Sequence, residues 1–92
     1  NIGDIDCGFY IRFIARDKAG VLSEITTIMA NASVSIESII QRDHVSKIDH
    51  VNVVIITSKI KHSTLDPVVK KIKKLENVVD EIVLIRVEHL DQ

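Results

Sequence analysis

The sequence predicts an α+β domain of the ferredoxin-like type, a four-stranded antiparallel sheet in βαββαβ order with two helices on one face. Three observations point there. Four stretches either alternate apolar and polar side chains or run apolar on both faces, as strands do. Two other stretches space their apolar residues three and four apart, as amphipathic helices do. Along the 92 residues the order is strand, helix, strand, strand, helix, strand.

Asn1 to Gly8 is polar and carries two glycines, so it reads as an arriving linker or a frayed end, and the domain proper runs over residues 9–90. Phe9 to Arg16 alternates. Phe9, Ile11, Phe13 and Ala15 share one face and should meet the helices, whereas Tyr10, Arg12, Ile14 and Arg16 share the other. From Gly20 to Ala32, Val21, Leu22, Ile25, Ile28 and Met29 form one helical stripe, with Asn31 as terminator. Val34 to Gln41 is the second strand, alternating Val34, Ile36, Ser38 and Ile40 against Ser35, Glu37, Ile39 and Gln41. Arg42 to Asp49 is a charged hairpin connection, and His50 to Ser58 a third strand with Val51, Val53, Ile55 and Thr57 on one face. Thr64 is the expected N-cap of the second helix, which places Pro67 in the first turn, where a missing N–H costs nothing. Leu65, Val68, Val69, Ile72 and Leu75 form its buried stripe, Lys70, Lys71, Lys73 and Lys74 a solvated face, and Asn77 its end. Val78 to Leu90 gives the last strand.

Right-handed crossovers put the first and third strands at the sheet centre. The face away from the helices then exposes Ile14, Ile39, Val54, Ile56, Ile82 and Leu84. Such a patch on a lone domain marks an interface. A homodimer or higher homo-oligomer is therefore expected, paired through the second strand's edge, through this face, or both.

Composition narrows the function. A formal charge of −1 argues against nucleic acid or a membrane surface as an electrostatic partner. An RNA-binding domain of this fold would stack bases on central-strand aromatics, and these strands offer only Phe9, Tyr10 and Phe13 without the glycine-aromatic signature. The lone cysteine, Cys7, cannot form an internal disulfide, which makes a reducing cytoplasm the expected compartment. No apolar run approaches the roughly 20 residues of a membrane span. The chain starts at Asn1 without a methionine and is expected to be an excised or processed piece.

Enzymatic motifs are missing as well. There is no Gly-x-Gly-x-x-Gly and no P-loop. His44, His50, His62 and His89 lack metal-ligand spacing, although His44 and His50 flank the hairpin. Ser23 and Ser38 have no identifiable base, and Glu37, Asp43 and Asp49 make no recognisable acid pair. No catalytic residue, metal or cofactor is expected in this chain.

The chemistry that is legible sits at Arg16-Asp17-Lys18-Ala19-Gly20-Val21-Leu22. A strand turning through glycine into a helix presents unpaired N–H donors, backed by the helix dipole, to a carboxylate or phosphate. Asp17 can hold a cation or cap the helix. An acid beside N–H donors suits a zwitterion. On these residues alone, an ordinary strand-to-helix turn accounts for the pattern more simply than a ligand site.

Phe13-Ile14-Ala15-Arg16-Asp17-Lys18-Ala19-Gly20-Val21-Leu22 resembles the opening of an ACT domain, where an aspartate, a proline-glycine pair and Val-Leu mark the first strand-to-helix turn. Val34-Ser35-Ile36-Glu37-Ser38-Ile39-Ile40-Gln41 looks like the second strand of the ACT domain at the C-terminus of homoserine dehydrogenase, and Val83-Leu84-Ile85-Arg86-Val87-Glu88 fits the same group. The likeness runs from about Phe9 to Leu90. Ala19 stands where the family usually has proline, so no amide donor is lost but the turn is less rigid.

The resemblance implies a regulatory module, excised from an oxidoreductase whose NAD or NADP would bind only in a catalytic part outside this chain. It implies an amino-acid effector, with L-threonine favoured as feedback inhibitor. The α-carboxylate would sit on the N–H groups of Gly20, Val21 and Leu22 beside Ala19, and Asp17 would face the α-ammonium. Ser38, Ile39 and Gln41 from the second strand of a neighbouring domain would close the site. The alternatives are an ACT-type dimerisation module without ligand binding, or the ACT domain of another amino-acid-pathway enzyme such as phosphoglycerate dehydrogenase or threonine deaminase.

Overall fold

A computed structural model describes residues 6–42, 48–79 and 81–87. Its elements are β1 (Asp6–Arg16), α1 (Val21–Asn31), β2 (Ile36–Arg42), β3 (His50–Thr57), β4 (Ile60–Lys61), α2 (His62–Lys73) and β5 (Val83–Val87). The expected linker residues Asn1 to Ile5, the hairpin residues Asp43 and His44, and His89 and Leu90 near the end lie outside the described residues.

The sheet runs β2-β3-β1, and every ladder is antiparallel. The first and third strands are central, as the crossover rule requires. The far edge of β1 is shared by successive segments. β4 pairs with Asp6 and Cys7, and β5 pairs with Gly8 to Arg12. A bridge between Ala15 and Val78 completes that edge. The fold is thus the expected ferredoxin-like one with a fifth, two-residue strand. Because β4 supplies ladder partners, β1 begins at Asp6, and Asp6 to Gly8 belong to the sheet rather than to a linker.

One side of the sheet carries the core. Phe9, Ile11, Phe13 and Ala15 of β1 are buried, and Ile11, Phe13 and Ala15 stand directly opposite Ile55, Val53 and Val51 of β3. The helices cover them with Val21, Ile25 and Met29 from α1 and Leu65, Val68 and Ile72 from α2. Each large side chain so buried contributes about 1.5–3 kcal/mol. Cys7 joins this core as a small apolar side chain. Thr57 is fully buried, and its Oγ1 accepts the Phe9 N–H at 3.1 Å.

Two local departures change which side chains face where. A register shift between Ile36 and Ser38 bulges β2 at Glu37. Ile36 and Ile39 therefore stand opposite Thr57 and Ile55 on the helix side, whereas Ser38, Ile40 and Arg42 stand opposite Ile56, Val54 and Asn52 on the outer side. The simple alternation expected for β2 fails at that point. In β5, Leu84 pairs with Ile11 and, with Ile82, packs on the core, so Val83 and Ile85 take the outer face. The outer apolar face exists, but Ile40, Val83 and Ile85 replace Ile39, Ile82 and Leu84.

α1 ends as its sequence suggests, then turns through Ser33 at φ 60. Ser33 N–H donates to Ala30 C=O at 3.0 Å and Val34 N–H to Met29 C=O at 2.9 Å, the Schellman pattern. α2 starts at His62 after Lys61, not after Thr64, so Pro67 lies inside the helix and cannot donate to the Ser63 carbonyl. It stops at Lys73, short of Asn77. Among the described residues no helix is long and apolar enough to cross a membrane.

Candidate functional site

The chain leaves β1 under tight backbone control. Arg16 N–H donates to Asn77 C=O at 2.9 Å, and its guanidinium donates to Glu76 C=O at 2.6 Å. Asp17 N–H donates to Asp49 C=O at 2.7 Å, and Lys18 N–H to Arg16 C=O at 3.0 Å. The turn is thereby tied both to the entry of β3 and to the segment after α2. Gly20 then takes φ 87 and serves as the N-cap residue of α1. A Cβ there would meet nothing within 4 Å, so glycine is required for its torsion and not for clearance.

That geometry decides which donors are open. Val21 N–H is directed at Lys18 C=O at 3.3 Å, and Glu24 N–H at Gly20 C=O at 3.0 Å. The N–H groups of Leu22 and Ser23 have no acceptor among the described residues, and no side chain caps the helix. Asp17 is not the cap, and its carboxylate is exposed. Neither Asp17 nor Lys18 forms an ion pair among the described residues.

Above this turn lies a cleft of about 280 Å3, solvent at its mouth included. Its enclosed part is only about 40 Å3, well below the roughly 300–1,000 Å3 usual for small-molecule sites. Its floor is apolar, from Ala15, Val21, Ile25, Val51 and Val53, with Leu22 beside them. Its polar groups are Arg16, Asp17, Lys18 and Gln41. Gln41 is there because of the bulge. Standing opposite Val53, it shares the helix side of the sheet, and an unbulged β2 with Ile36 on that side would turn Gln41 away.

Of the residues expected from the sequence, Asp17, Val21, Leu22 and Gln41 converge on this cleft within one chain. Ala19 and Gly20 shape the turn but do not line it. Ser38 lies on the opposite sheet face, and Ile39, although on the helix side, stands opposite Ile55 and does not line the cleft. The reading from sequence missed Arg16, Lys18 and all of the floor but Val21. Ala15, Val51 and Val53 were legible as inward strand positions and Ile25 as a stripe position, and their convergence follows from the β1–β3 register. Elsewhere, His50 Nε2 lies 3.8 Å from Asp49 Oδ1, and the His62 ring packs 5.8 Å from that of Phe9. Among the described residues no cluster of His, Cys, Asp or Glu could hold a metal ion.

Comparison with known proteins places this arrangement. The family model for the ACT domain matches residues 9–77. The chain belongs to the ACT domain family. The matched span contains the whole cleft, from Ala15 to Val53. The ACT domain is also similar to homoserine dehydrogenase from Methylobacillus glycogenes, 29% identical over 91 residues, which are 99% of this chain and 22% of that protein. Among solved structures it superposes on a homoserine dehydrogenase from Thiobacillus denitrificans with a TM-score of 0.82 at 26% identity, covering 95% of this chain and 19% of that one. The ACT domain from GTP pyrophosphokinase of Chlorobium tepidum shares the fold, with a TM-score of 0.65 at 20% identity over 89% of this chain and 99% of that one. The chain spans about a fifth of the length of the curated relatives it matches. It is an ACT regulatory domain related to homoserine dehydrogenases.

Proposed function

We propose that this ACT domain binds a free amino acid, L-threonine above others, in the cleft at the β1–α1 turn, and that binding regulates an oxidoreductase of the homoserine dehydrogenase type. The observation that carries the reading is the convergence of Asp17, the unpaired Leu22 and Ser23 N–H groups and Gln41 around an apolar floor. The α-carboxylate accepts hydrogen bonds from Leu22 and Ser23, where the helix dipole favours negative charge. The α-ammonium faces the Asp17 carboxylate. The ligand's methyl group rests on Val51 and Val53, and the Gln41 amide bonds its hydroxyl. NAD or NADP, in this reading, belongs to a catalytic part outside the cleft, and no residue of this chain does chemistry.

Regulation requires that the ligand favour one arrangement of the protein over another. A ligand held at once by α1 and by Gln41 fixes β2 relative to the turn, and β2 is an edge strand whose exposed side chains are open to a neighbour. The test is calorimetric titration of the chain with each common amino acid. Saturable binding with L-threonine tightest is expected, with about 2.7 kcal/mol of added stability at a hundredfold excess over Kd. Absence of binding by any amino acid would leave a dimerisation module without an effector.

A further inference from the structure

The cleft at the β1–α1 turn owes its depth to one small inward position of β1. Phe9, Ile11 and Phe13 fill the helix side of that strand, and Ala15 follows them near its end, only 1% exposed. In the row across the sheet, Ala15 stands between Val51 of β3 and Val78. A side chain that stops at Cβ leaves space that any of the three before it would fill.

The bottom of the cleft is closed by residues that yield little. Ile25 and Val53 are 0% and 2% exposed and belong to the core, and Val53 stands opposite both Phe13 and Gln41. Both side chains are β-branched and stiff at χ1, and a close-packed interior resists added volume. The enclosed space is about 40 Å3. A water-sized group needs roughly 10–15 Å3 of such space, so there is room for about three. Asp17, Lys18 and Gln41 are exposed whereas Ala15, Ile25 and Val53 are buried, so the polar groups form the rim and the apolar ones the bottom.

We propose that Ala15, Ile25 and Val53 set the size of amino acid that this cleft accepts, limiting the ligand's side chain to about three non-hydrogen atoms. Alanine, serine, threonine and valine pass that limit, and leucine, methionine and the aromatic amino acids do not. The inference rests on the amino-acid reading above and adds to it the residues that select. The ligand's carboxylate and ammonium stay at the rim in every case. Trimming or filling the bottom therefore changes discrimination between side chains and leaves the hold on the charged groups as it was.

The test is amide NMR titration, which follows weak as well as tight binding, with glycine, L-threonine and L-leucine, and with circular dichroism confirming that each variant is folded. In the wild-type chain L-leucine should bind about tenfold or more weakly than L-threonine, as one added methylene in a closed apolar pocket can cost. Val53→Ala should erase that preference, and Ile25→Val, a milder trimming of the same floor, should reduce it. Ala15→Val works in the opposite sense. It should weaken L-threonine by about tenfold or more while leaving glycine, which has no side chain to exclude, within about twofold. Ratios taken within one variant remove any common loss of affinity. L-leucine bound as tightly as L-threonine by the wild-type chain, or substitutions that leave these ratios unchanged, would overturn the size limit and leave the amino-acid site standing. Binding of no amino acid by the wild-type chain would remove the site itself and this inference with it.

Discussion

Replacing Gly20 by alanine isolates one physical term. Gly20 sits at φ 87, and its built Cβ meets no atom within 4 Å. No steric clash follows from the substitution, so the cost is torsional. A residue with a Cβ pays roughly 1–2 kcal/mol in the left-handed region. Alanine returns about 0.4–1 kcal/mol by restricting the unfolded chain. The expected net loss is therefore about 1 kcal/mol, which lowers Tm by about 4–8 °C in a domain of this size. Gly20→Asn, which tolerates this conformation better, should lose less. Denaturant unfolding with a fixed m-value measures both. Ligand affinity measured on folded Gly20→Ala should change little, because Gly20 shapes the cleft without lining it. A neutral or stabilising Gly20→Ala would refute the positive φ. A loss above about 3 kcal/mol would show a steric conflict where open space stands, beyond what backbone strain alone supplies.

Other substitutions test neighbouring parts of the argument. Ser33→Gly should stabilise the chain by about 1 kcal/mol in thermal unfolding, since Ser33 occupies the left-handed position after α1 that favours glycine. Thr57→Val should destabilise it by about 1–3 kcal/mol in urea unfolding, because the buried Phe9 N–H loses its acceptor. Asp17→Asn should leave stability unchanged, Gly20 being the N-cap residue, yet weaken amino-acid binding by about 1–3 kcal/mol in calorimetry through loss of the charge facing the ammonium.

The regular parts of this fold were legible because their neighbours keep a regular period. β1 and β3 pair without a slip from Tyr10 to Arg16, so period-two alternation assigned their faces correctly. The α1 stripe likewise places Val21, Ile25 and Met29 inward. β2 was misread for the opposite reason. Its bulge falls at Glu37, where no glycine marks it, and Ile39-Ile40 supplies an apolar side chain to either face in either register. That slip carried Gln41 with it. Resemblance put Gln41 at the site but from a neighbouring domain, whereas the bulge brings it to the turn of its own chain. β4 is too short to have a period and exists through its pairing with Asp6 and Cys7. Pro67 misled in α2, because proline is common in a first turn and here lies within the helix.

The most direct measurement of the ligand site is an amide NMR titration of the labelled chain with L-threonine. Saturable shifts are expected at the backbone N–H groups of Leu22 and Ser23 and at the side-chain amide of Gln41, with the same midpoint. An absence of saturable shifts, or shifts confined to residues away from the β1–α1 turn and Gln41, would contradict the amino-acid site proposed for this cleft.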